Sequence, residues 1–235
     1  MFTTNCHGWD MDFEPGSRPP RGAVFFDVDG TLVPGTSSGA HLAGLLGHTE
    51  ALTRAEAAYS AGELTNHQVC DMDALGWRGR SEAEVRERLA SLPLVDGIAE
   101  TTAWCRRNGL LPVLATLAWQ SVGVHLADRF GFQAWCGPEL ETVGGRYTGR
   151  VVRYFDEYGK RDFALGHAAT AGLSAARCAA VGDSRSDLPL FREVGLALAF
   201  NADPAAEAAA DHAVTGSDLR AVLPLLAAWL ATDGR

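Results

Sequence analysis

Four short, almost entirely apolar segments constrain the fold of this chain more than any other feature of its sequence. They cover residues 23–26, 110–115, 177–181 and 196–200. Apolar runs of this length, bounded by turn signals, are typical of strands buried on both faces of a sheet. Because helical patterns separate them, the sequence predicts an α/β fold with a doubly wound, Rossmann-like parallel sheet.

Helical periodicity is densest between the first two predicted strands. Residues 37–47, 49–61, 65–76 and 81–91 each read as a helix, and Ser81 with Glu84 forms a candidate capping box at the start of the fourth. Gly144 and Gly145 interrupt residues 140–152, which therefore read as a β-hairpin. Further helices are predicted at residues 96–108, 119–130, 160–171, 188–194 and 217–231.

This order of elements predicts one α/β core that carries an insertion. The core would comprise residues 23–34 and 94–235, and the all-helical insertion, residues 35–93, would cover the carboxyl edge of the sheet as a lid. Residues 1–22 are rich in turn formers without a sustained period, so they are interpreted as a flexible N-terminal extension.

Composition and charge exclude several function classes. The net charge of −9 and the scattered Lys and Arg residues offer no basic patch for nucleic acid or for an anionic membrane. Five cysteines, an odd number without a Cys-x-x-Cys pair, argue against a disulfide framework and a structural zinc site. No membrane-spanning run or secretory signal is evident, so we expect a cytoplasmic protein, either monomeric or homodimeric.

A pair of aspartates follows the first predicted strand. Asp27 and Asp29 leave the strand within a short Asp-x-Asp-Gly-Thr segment, where Gly30 lets a ligand approach the backbone. Such a pair suits a nucleophile and a proton donor, because an aspartate can attack phosphorus and the acyl phosphate formed is then hydrolysed. Taken alone, the segment also fits a turn or a fragment of a calcium loop, but the further ligands of such a loop are absent.

A second acidic segment follows the third predicted strand. It runs from Gly182 to Asp187 and contains Asp183, and by itself it is also typical of a loop opening. Mg²⁺ prefers one or two carboxylates together with water and substrate phosphate. The two strand ends together therefore predict a magnesium site made by Asp27, Asp183 and the carbonyl of Asp29.

In these motifs and their order the chain resembles the haloacid dehalogenase superfamily, specifically its phosphoserine-phosphatase-like branch with a helical C1 cap, over residues 23–214. The resemblance implies that Asp27 is the nucleophile, Asp29 the acid/base, Thr116 the phosphate-binding hydroxyl and Lys160 the stabilising lysine. It adds Asp187 to the metal motif. Without it, Thr116 would be read as a turn residue and Lys160 as a solvated helix-start lysine.

The substrate-binding residues expected are Asp29, Gly30, Thr31, Thr116, Leu117, Lys160, Trp77 and Trp119, and the metal ligands expected are Asp27, Asp29, Asp183 and Asp187.

Three departures from the family pattern bear on the substrate. Thr36 stands where phosphoserine phosphatases carry the glutamate that holds the substrate amine, Leu117 to Trp119 place bulk beside the phosphate site, and Ser186 replaces an asparagine. Aromatic and other large residues of the insertion and its surroundings offer stacking surfaces for a larger leaving group, although residues of these types more often belong to a helix core. These residues are Tyr59, His67, Met72, Trp77 and Trp119.

The function predicted from these motifs is Mg²⁺-dependent hydrolysis of a small phosphorylated metabolite through an aspartyl phosphate. A sugar phosphate or a sugar-conjugate 5′-phosphate of a biosynthetic pathway is the preferred substrate, with phosphoserine as the alternative. A phosphotransferase or mutase remains a rival, although no acid/base is evident in the insertion, and so does an inactive binding protein of the same fold. Dehalogenation is opposed by Asp29. The histidines form no metal-binding pair and receive no catalytic role.

Overall fold

The computed structural model of the chain describes residues 19–232. Most of the predicted N-terminal extension, residues 1–22, therefore lies outside the described residues. Within residues 19–232, no helix combines the length and the apolar character needed to cross a membrane.

The core is a six-stranded sheet in which every neighbouring pair is parallel. The strand order is β3-β2-β1-β6-β7-β8. Strands β2 and β3 lie on one side of β1 and strands β6 to β8 on the other, as in a doubly wound sheet. The predicted fold class is confirmed. The strands are β1 (Gly22–Phe26), β2 (Leu110–Leu114), β3 (Ala134–Trp135), β6 (Cys178–Gly182), β7 (Leu196–Phe200) and β8 (His212–Val214), and a separate antiparallel hairpin consists of β4 (Glu139–Val143) and β5 (Arg146–Arg153).

Both edge strands of the sheet were missing from the sequence prediction, which gave four strands instead of six. The strand β3 pairs with β2 over two residues, and β8 pairs with β7 over three. Such short segments carry no periodic pattern, and they become strands only because a longer neighbour offers its backbone groups for pairing.

The helices follow the predicted segments closely, with one addition, α9. The predicted helix at 160–171 begins three residues earlier, because Asp156 caps the N–H groups of Tyr158 and Gly159. The predicted helix at 217–231 begins with a 3₁₀ turn at Leu219–Val222. The α-helices are α1 (Ser38–Leu46), α2 (Thr49–Ser60), α3 (Asn66–Trp77), α4 (Glu82–Leu89), α5 (Ile98–Arg107), α6 (Gln120–Phe130), α7 (Glu157–Thr170), α8 (Leu188–Phe191), α9 (Pro204–Ala209) and α10 (Leu223–Thr232).

Helices α1 to α4 occupy the predicted insertion, residues 35–93, which we call the cap. Side-chain caps mark the starts of α1, α3 and α4, whereas α2 has none. Of the capping box predicted at Ser81 and Glu84, the structure shows the bond from the Glu84 N–H to the Ser81 hydroxyl, while Thr65 forms a complete capping box with Gln68 at the start of α3.

Trp77, at the end of α3, joins the cap to the rest of the molecule. Its ring is fully buried and meets Tyr147 of the hairpin edge-to-face at 5.1 Å and Trp119, before α6, at 5.8 Å. Such aromatic pairs add stabilisation beyond the burial of their area. The cap is thus fixed by a large apolar contact at one end of α3.

Replacing Trp77 by Ala should lower the free energy of unfolding by about 3–5 kcal/mol, because a fully buried aromatic leaves a cavity that cannot close completely. Urea denaturation measures the change. Leu75→Ala on the same helix is the matched control, since that side chain is 64% exposed and should change stability by no more than about 0.5 kcal/mol. Equal effects of the two substitutions would show that Trp77 does not anchor the cap.

Candidate active site

Three strands of the sheet deliver polar side chains to one edge. Asp27 directly follows β1, Asp183 directly follows β6, and Thr116 lies two residues beyond β2. The strands stay in register up to this edge: the N–H of Asp27 donates to the Val181 carbonyl at 2.9 Å. Parallel strands end together, so residues distant in sequence converge here, as the sequence predicted.

A fully buried lysine forms the centre of the site. The Nζ atom of Lys160 donates to Asp27 Oδ1 at 2.6 Å, to Asp187 Oδ1 at 2.7 Å and to Ser186 Oγ at 3.3 Å. Burial alone would lower the pKa of Lys160, but the carboxylates of Asp187 and Asp27 outweigh it and hold the pKa above its usual value. Lys160 is therefore a permanent positive charge beside the predicted nucleophile.

Both oxygens of Asp187 are engaged. Oδ1 accepts from Lys160, and Oδ2 accepts the N–H groups of Asp183 at 3.0 Å and Ser184 at 3.2 Å. These bonds hold the loop after β6 against the first turn of α7. Asp187 thus positions both Lys160 and Asp183.

Three of the four aspartates predicted to bind metal lie close together, and the carboxylate of the fourth, Asp29, is not part of this cluster. Asp27, Asp183 and Asp187 each offer a carboxylate oxygen, and these atoms lie within 4.8 Å of one another. Burial, reinforced by the neighbouring carboxylates, raises the pKa of Asp183 to about 9; burial also raises that of Asp27 to about 7, against the opposing effect of Lys160. The single positive charge of Lys160 does not compensate the three carboxylates of Asp27, Asp183 and Asp187. These oxygen donors therefore fit a hard divalent cation.

Gly30 and Thr31 shape this cluster. Gly30 has a φ of +89°, and a Cβ there would lie 2.1 Å from Asp183 Oδ2, so no other residue fits at this position. The hydroxyl of Thr31, predicted to contact substrate, is fully buried and donates to Asp183 Oδ1 at 2.9 Å. Gly30 lines a cavity between the strand ends and the cap, whereas Thr31 orients the carboxylate of Asp183.

Asp29 faces the cap. Its Oδ1 accepts the N–H of Ser38, in the first turn of α1, at 2.6 Å. Desolvation raises the pKa of Asp29 above its usual value, although the bonds with Ser38 oppose the change. The sequence could not decide whether Asp29 would hold a proton, and the direction of this shift suits a general acid.

The loop after β2 forms the next wall of the cavity. Thr116 is buried, and its hydroxyl oxygen accepts the N–H of Ala118 at 3.0 Å. Leu117 and Trp119 line the cavity beside it, and the indole N–H of Trp119 donates to Asp73 of α3 at 2.6 Å. This loop therefore touches both the catalytic edge and the cap.

The five large residues expected to face a substrate separate into three groups. Tyr59 and Trp119 line the cavity, which has a volume of about 310 Å³. His67 stacks on Tyr154 at 4.7 Å on the outside, and Met72 is 41% exposed. Trp77 lies in the aromatic contact that anchors the cap, and its side chain does not line this cavity. The geometry thus supports substrate contact for two of the five.

Two carboxylates of the cap also line the cavity, and sequence reasoning missed both. Glu56 lies on the same side of α2 as the buried Leu52 and Ala55, and Asp73 lies among the buried residues of α3. The sequence does contain an indication of these two residues. An acidic residue within the apolar face of a helix is unusual unless another group pairs with it. The expectation that the cap holds no acid/base candidate is therefore corrected by Glu56.

Fold and site together define a class of α/β enzymes in which an aspartate at a strand end is the nucleophile and an inserted helical cap covers it. The family model of haloacid dehalogenase-like hydrolases matches residues 24–192, and the chain belongs to this family. The resemblance predicted from the sequence is confirmed.

Curated relatives and solved structures agree with this assignment. The chain is 31% identical over 206 residues to the phosphoserine phosphatase SerB2 of Mycobacterium tuberculosis, covering 86% of this chain but only 50% of that protein. It is 27% identical to a phosphoserine phosphatase of Albidiferax ferrireducens, covering 86% and 88% of the two chains. A solved phospho-aspartyl intermediate analogue of phosphoserine phosphatase shares the fold, with a TM-score of 0.77 at 22% identity over 87% of this chain and 98% of that one. The relatives' names support the predicted enzyme class, a phosphatase.

Without divalent cations, the free energy of unfolding should fall as the pH rises from about 6 to about 9. In the folded chain the pKa of Asp27 is raised to about 7 and that of Asp183 to about 9, whereas the ordinary pKa of an aspartate is 3.8. A pKa raised by folding stabilises the folded chain at low pH, and this contribution is lost as the pH rises through the folded-state pKa. Thermal unfolding in EDTA across this range measures the loss.

Added Mg²⁺ should reverse the trend, because the cation binds the ionised carboxylates and its binding releases protons. The stabilisation by Mg²⁺ should therefore grow with pH. Asp183→Asn should flatten both dependences. A melting temperature in EDTA that increased with pH over the same range would contradict the assignment of these shifts.

Proposed function

We propose that this chain is a Mg²⁺-dependent phosphatase that hydrolyses the phosphomonoester of a small metabolite through an aspartyl phosphate on Asp27. The observation that carries the proposal is the buried contact of Lys160 with Asp27 and Asp187, beside the carboxylate of Asp183. A cation fixed next to an aspartate at the sheet edge suits the stabilisation of charge on a phosphoryl group.

The reaction would proceed in two displacements at phosphorus. In the first, a carboxylate oxygen of Asp27 forms a bond to phosphorus while the bond to the ester oxygen breaks, and Asp29 gives its proton to the departing alkoxide. In the second, Asp29 takes a proton from a water molecule whose oxygen attacks phosphorus, so that phosphate leaves and the Asp27 carboxylate returns. The raised pKa of Asp29 favours the protonated form that the first step needs.

The remaining residues would bind and orient the phosphoryl group. Asp27, Asp183 and the carbonyl of Asp29 would hold Mg²⁺, which supplies positive charge to the phosphoryl oxygens when bound. Asp187, predicted as a further ligand, would instead position Lys160 and Asp183, because both of its oxygens already accept hydrogen bonds. Lys160 holds Asp27 in place and adds a second positive charge. The Thr116 hydroxyl has its proton available for a phosphoryl oxygen, because its oxygen accepts the Ala118 N–H.

Among the candidate substrates, the relatives favour phosphoserine. Their names are those of phosphoserine phosphatases, and nothing in the comparisons supports the sugar phosphate preferred from the sequence. The chain spans half the length of SerB2, so its substrate is inferred separately from that protein. Phosphoserine is therefore the first natural ester to test.

We expect the purified chain to release phosphate from p-nitrophenyl phosphate and from phosphoserine when Mg²⁺ is present. EDTA or Asp27→Asn should abolish the release, because the first removes the cation and the second removes the nucleophile. Asp162→Asn is a matched control on an exposed carboxylate of α7. Turnover by Asp27→Asn at the rate of the unmodified chain would exclude the aspartyl phosphate.

For Asp29→Asn, we expect a loss of about 10² to 10⁴ in kcat, the usual contribution of general acid–base catalysis. The loss should be greater for an alkyl phosphate than for p-nitrophenyl phosphate, because an alkoxide needs a proton to leave and a nitrophenolate does not. Steady-state rates on the two esters measure this difference. An unchanged rate on the alkyl ester would remove Asp29 from the role of acid.

A further inference from the structure

The cap side of the cavity is acidic. Glu56 and Asp73 line it, and among the lining residues that the structure describes none is a lysine or an arginine. The nearby guanidinium of Arg185 lies over the ring of Tyr59 at 4.3 Å and is engaged by the Tyr59 carbonyl and by Glu157. A substrate group bound at this side therefore meets negative charge and finds no free cation.

Glu56 is the carboxylate that remains available for a ligand. Its Oε1 accepts from the Ser37 hydroxyl at 2.5 Å, while Oε2 has no hydrogen-bond partner among residues 19–232. Burial, and then the charge of Asp29, raise the pKa of Glu56 to about 7. Because the pocket disfavours the ionised form, a cation placed against this carboxylate would relieve an existing electrostatic cost.

Asp73 is already used within the protein. Its Oδ1 meets His48 Nε2 at 2.6 Å, and its Oδ2 accepts from the Trp119 indole at 2.6 Å. Oδ1 thus joins α3 to the start of α2 within the cap, and Oδ2 holds the cap against the loop after β2. Asp73 contributes to the negative potential of the cavity but leaves Glu56 as the contact for a ligand.

We infer that the leaving group is an amino alcohol, whose ammonium group binds Glu56, and that the cavity, whose described lining contains no lysine or arginine, disfavours a substrate carboxylate. This inference rests on the proposed phosphatase function and narrows its substrate class. The charge-assisted hydrogen bond from an ammonium group to a carboxylate is among the stronger polar contacts in proteins. A carboxylate placed near Glu56 would be repelled and would lose its hydration without compensation.

Phosphoserine contains both groups, so matched esters separate their contributions. Phosphoethanolamine lacks the carboxylate, 2-hydroxyethyl phosphate has a hydroxyl in place of the amine, and phosphoglycolate has a carboxylate without an amine. The value of kcat/KM should be highest for phosphoethanolamine. It should exceed the value for phosphoserine, which adds a carboxylate, and should be about tenfold or more above the value for 2-hydroxyethyl phosphate. Phosphoglycolate should be the poorest of the four.

The role of Glu56 is tested by the ratio of kcat/KM for phosphoethanolamine to that for 2-hydroxyethyl phosphate, measured within each variant. Glu56→Gln should lower this ratio about tenfold, since the amide keeps the size but loses the charge. Glu50→Gln is the matched control on the same helix, because the Glu50 side chain is exposed and pairs with the exposed Arg54. Its ratio should equal that of the unmodified chain.

The outcomes distinguish this inference from the proposed function. Hydrolysis of p-nitrophenyl phosphate without any preference for the amine, or with a preference for phosphoserine over phosphoethanolamine, would overturn the amino-alcohol assignment and leave the phosphatase intact. An amine preference that survived Glu56→Gln would overturn the assignment of Glu56. Absence of hydrolysis of every ester would overturn both.

Discussion

The buried contact of Lys160 with two carboxylates is the interaction on which the rest of the site depends. Removing a charge from water costs several kcal/mol, so a lysine in a core persists only when its partners are well placed. Here the partners are Asp27, from the loop after β1, and Asp187, from the loop after β6. The ammonium group therefore fixes two loops relative to α7. Loss of either carboxylate would leave part of the buried charge of Lys160 uncompensated. The same contact is therefore needed for the stability of the fold and for the geometry of the site.

Most of the core could be predicted because its signals are local. The segments around Phe25, Val113, Ala180 and Ala197 are apolar on both faces, and that pattern by itself favours buried parallel strands. The positions of Asp27 and Asp183 at the strand ends then follow from the geometry of any such sheet. The edge strands β3 and β8 were not predicted, because a segment of two or three residues carries no periodic pattern. These segments are strands because their backbone pairs with the longer strands β2 and β7.

The cap side of the site was harder to predict because its residues act through tertiary contacts. Trp77 and Trp119 look alike in sequence, yet one is enclosed between aromatic rings and the other lines the cavity. Glu56 and Asp73 interrupt apolar helix faces, which shows that something must pair with them but not what. Asp73 is paired within the protein by His48 and Trp119, whereas Glu56 keeps one oxygen accessible to a ligand.

Two of the hydrogen bonds between the cap and the core involve loops that follow strands at the edge of the site. Asp73 of α3 holds Trp119, three residues beyond Thr116, and Arg185, two residues beyond Asp183, donates to the carbonyl of Tyr59 in α2 at 2.9 Å. A displacement of the cap would therefore move both the loop after β2 and the loop after β6. Asp29, in the loop after β1, accepts the N–H of Ser38 in the first turn of α1. The cap surface that we propose selects the leaving group is thus connected through Ser38 to Asp29, the residue that we propose protonates it. Under this proposal, the recognition of the substrate is linked to its reaction.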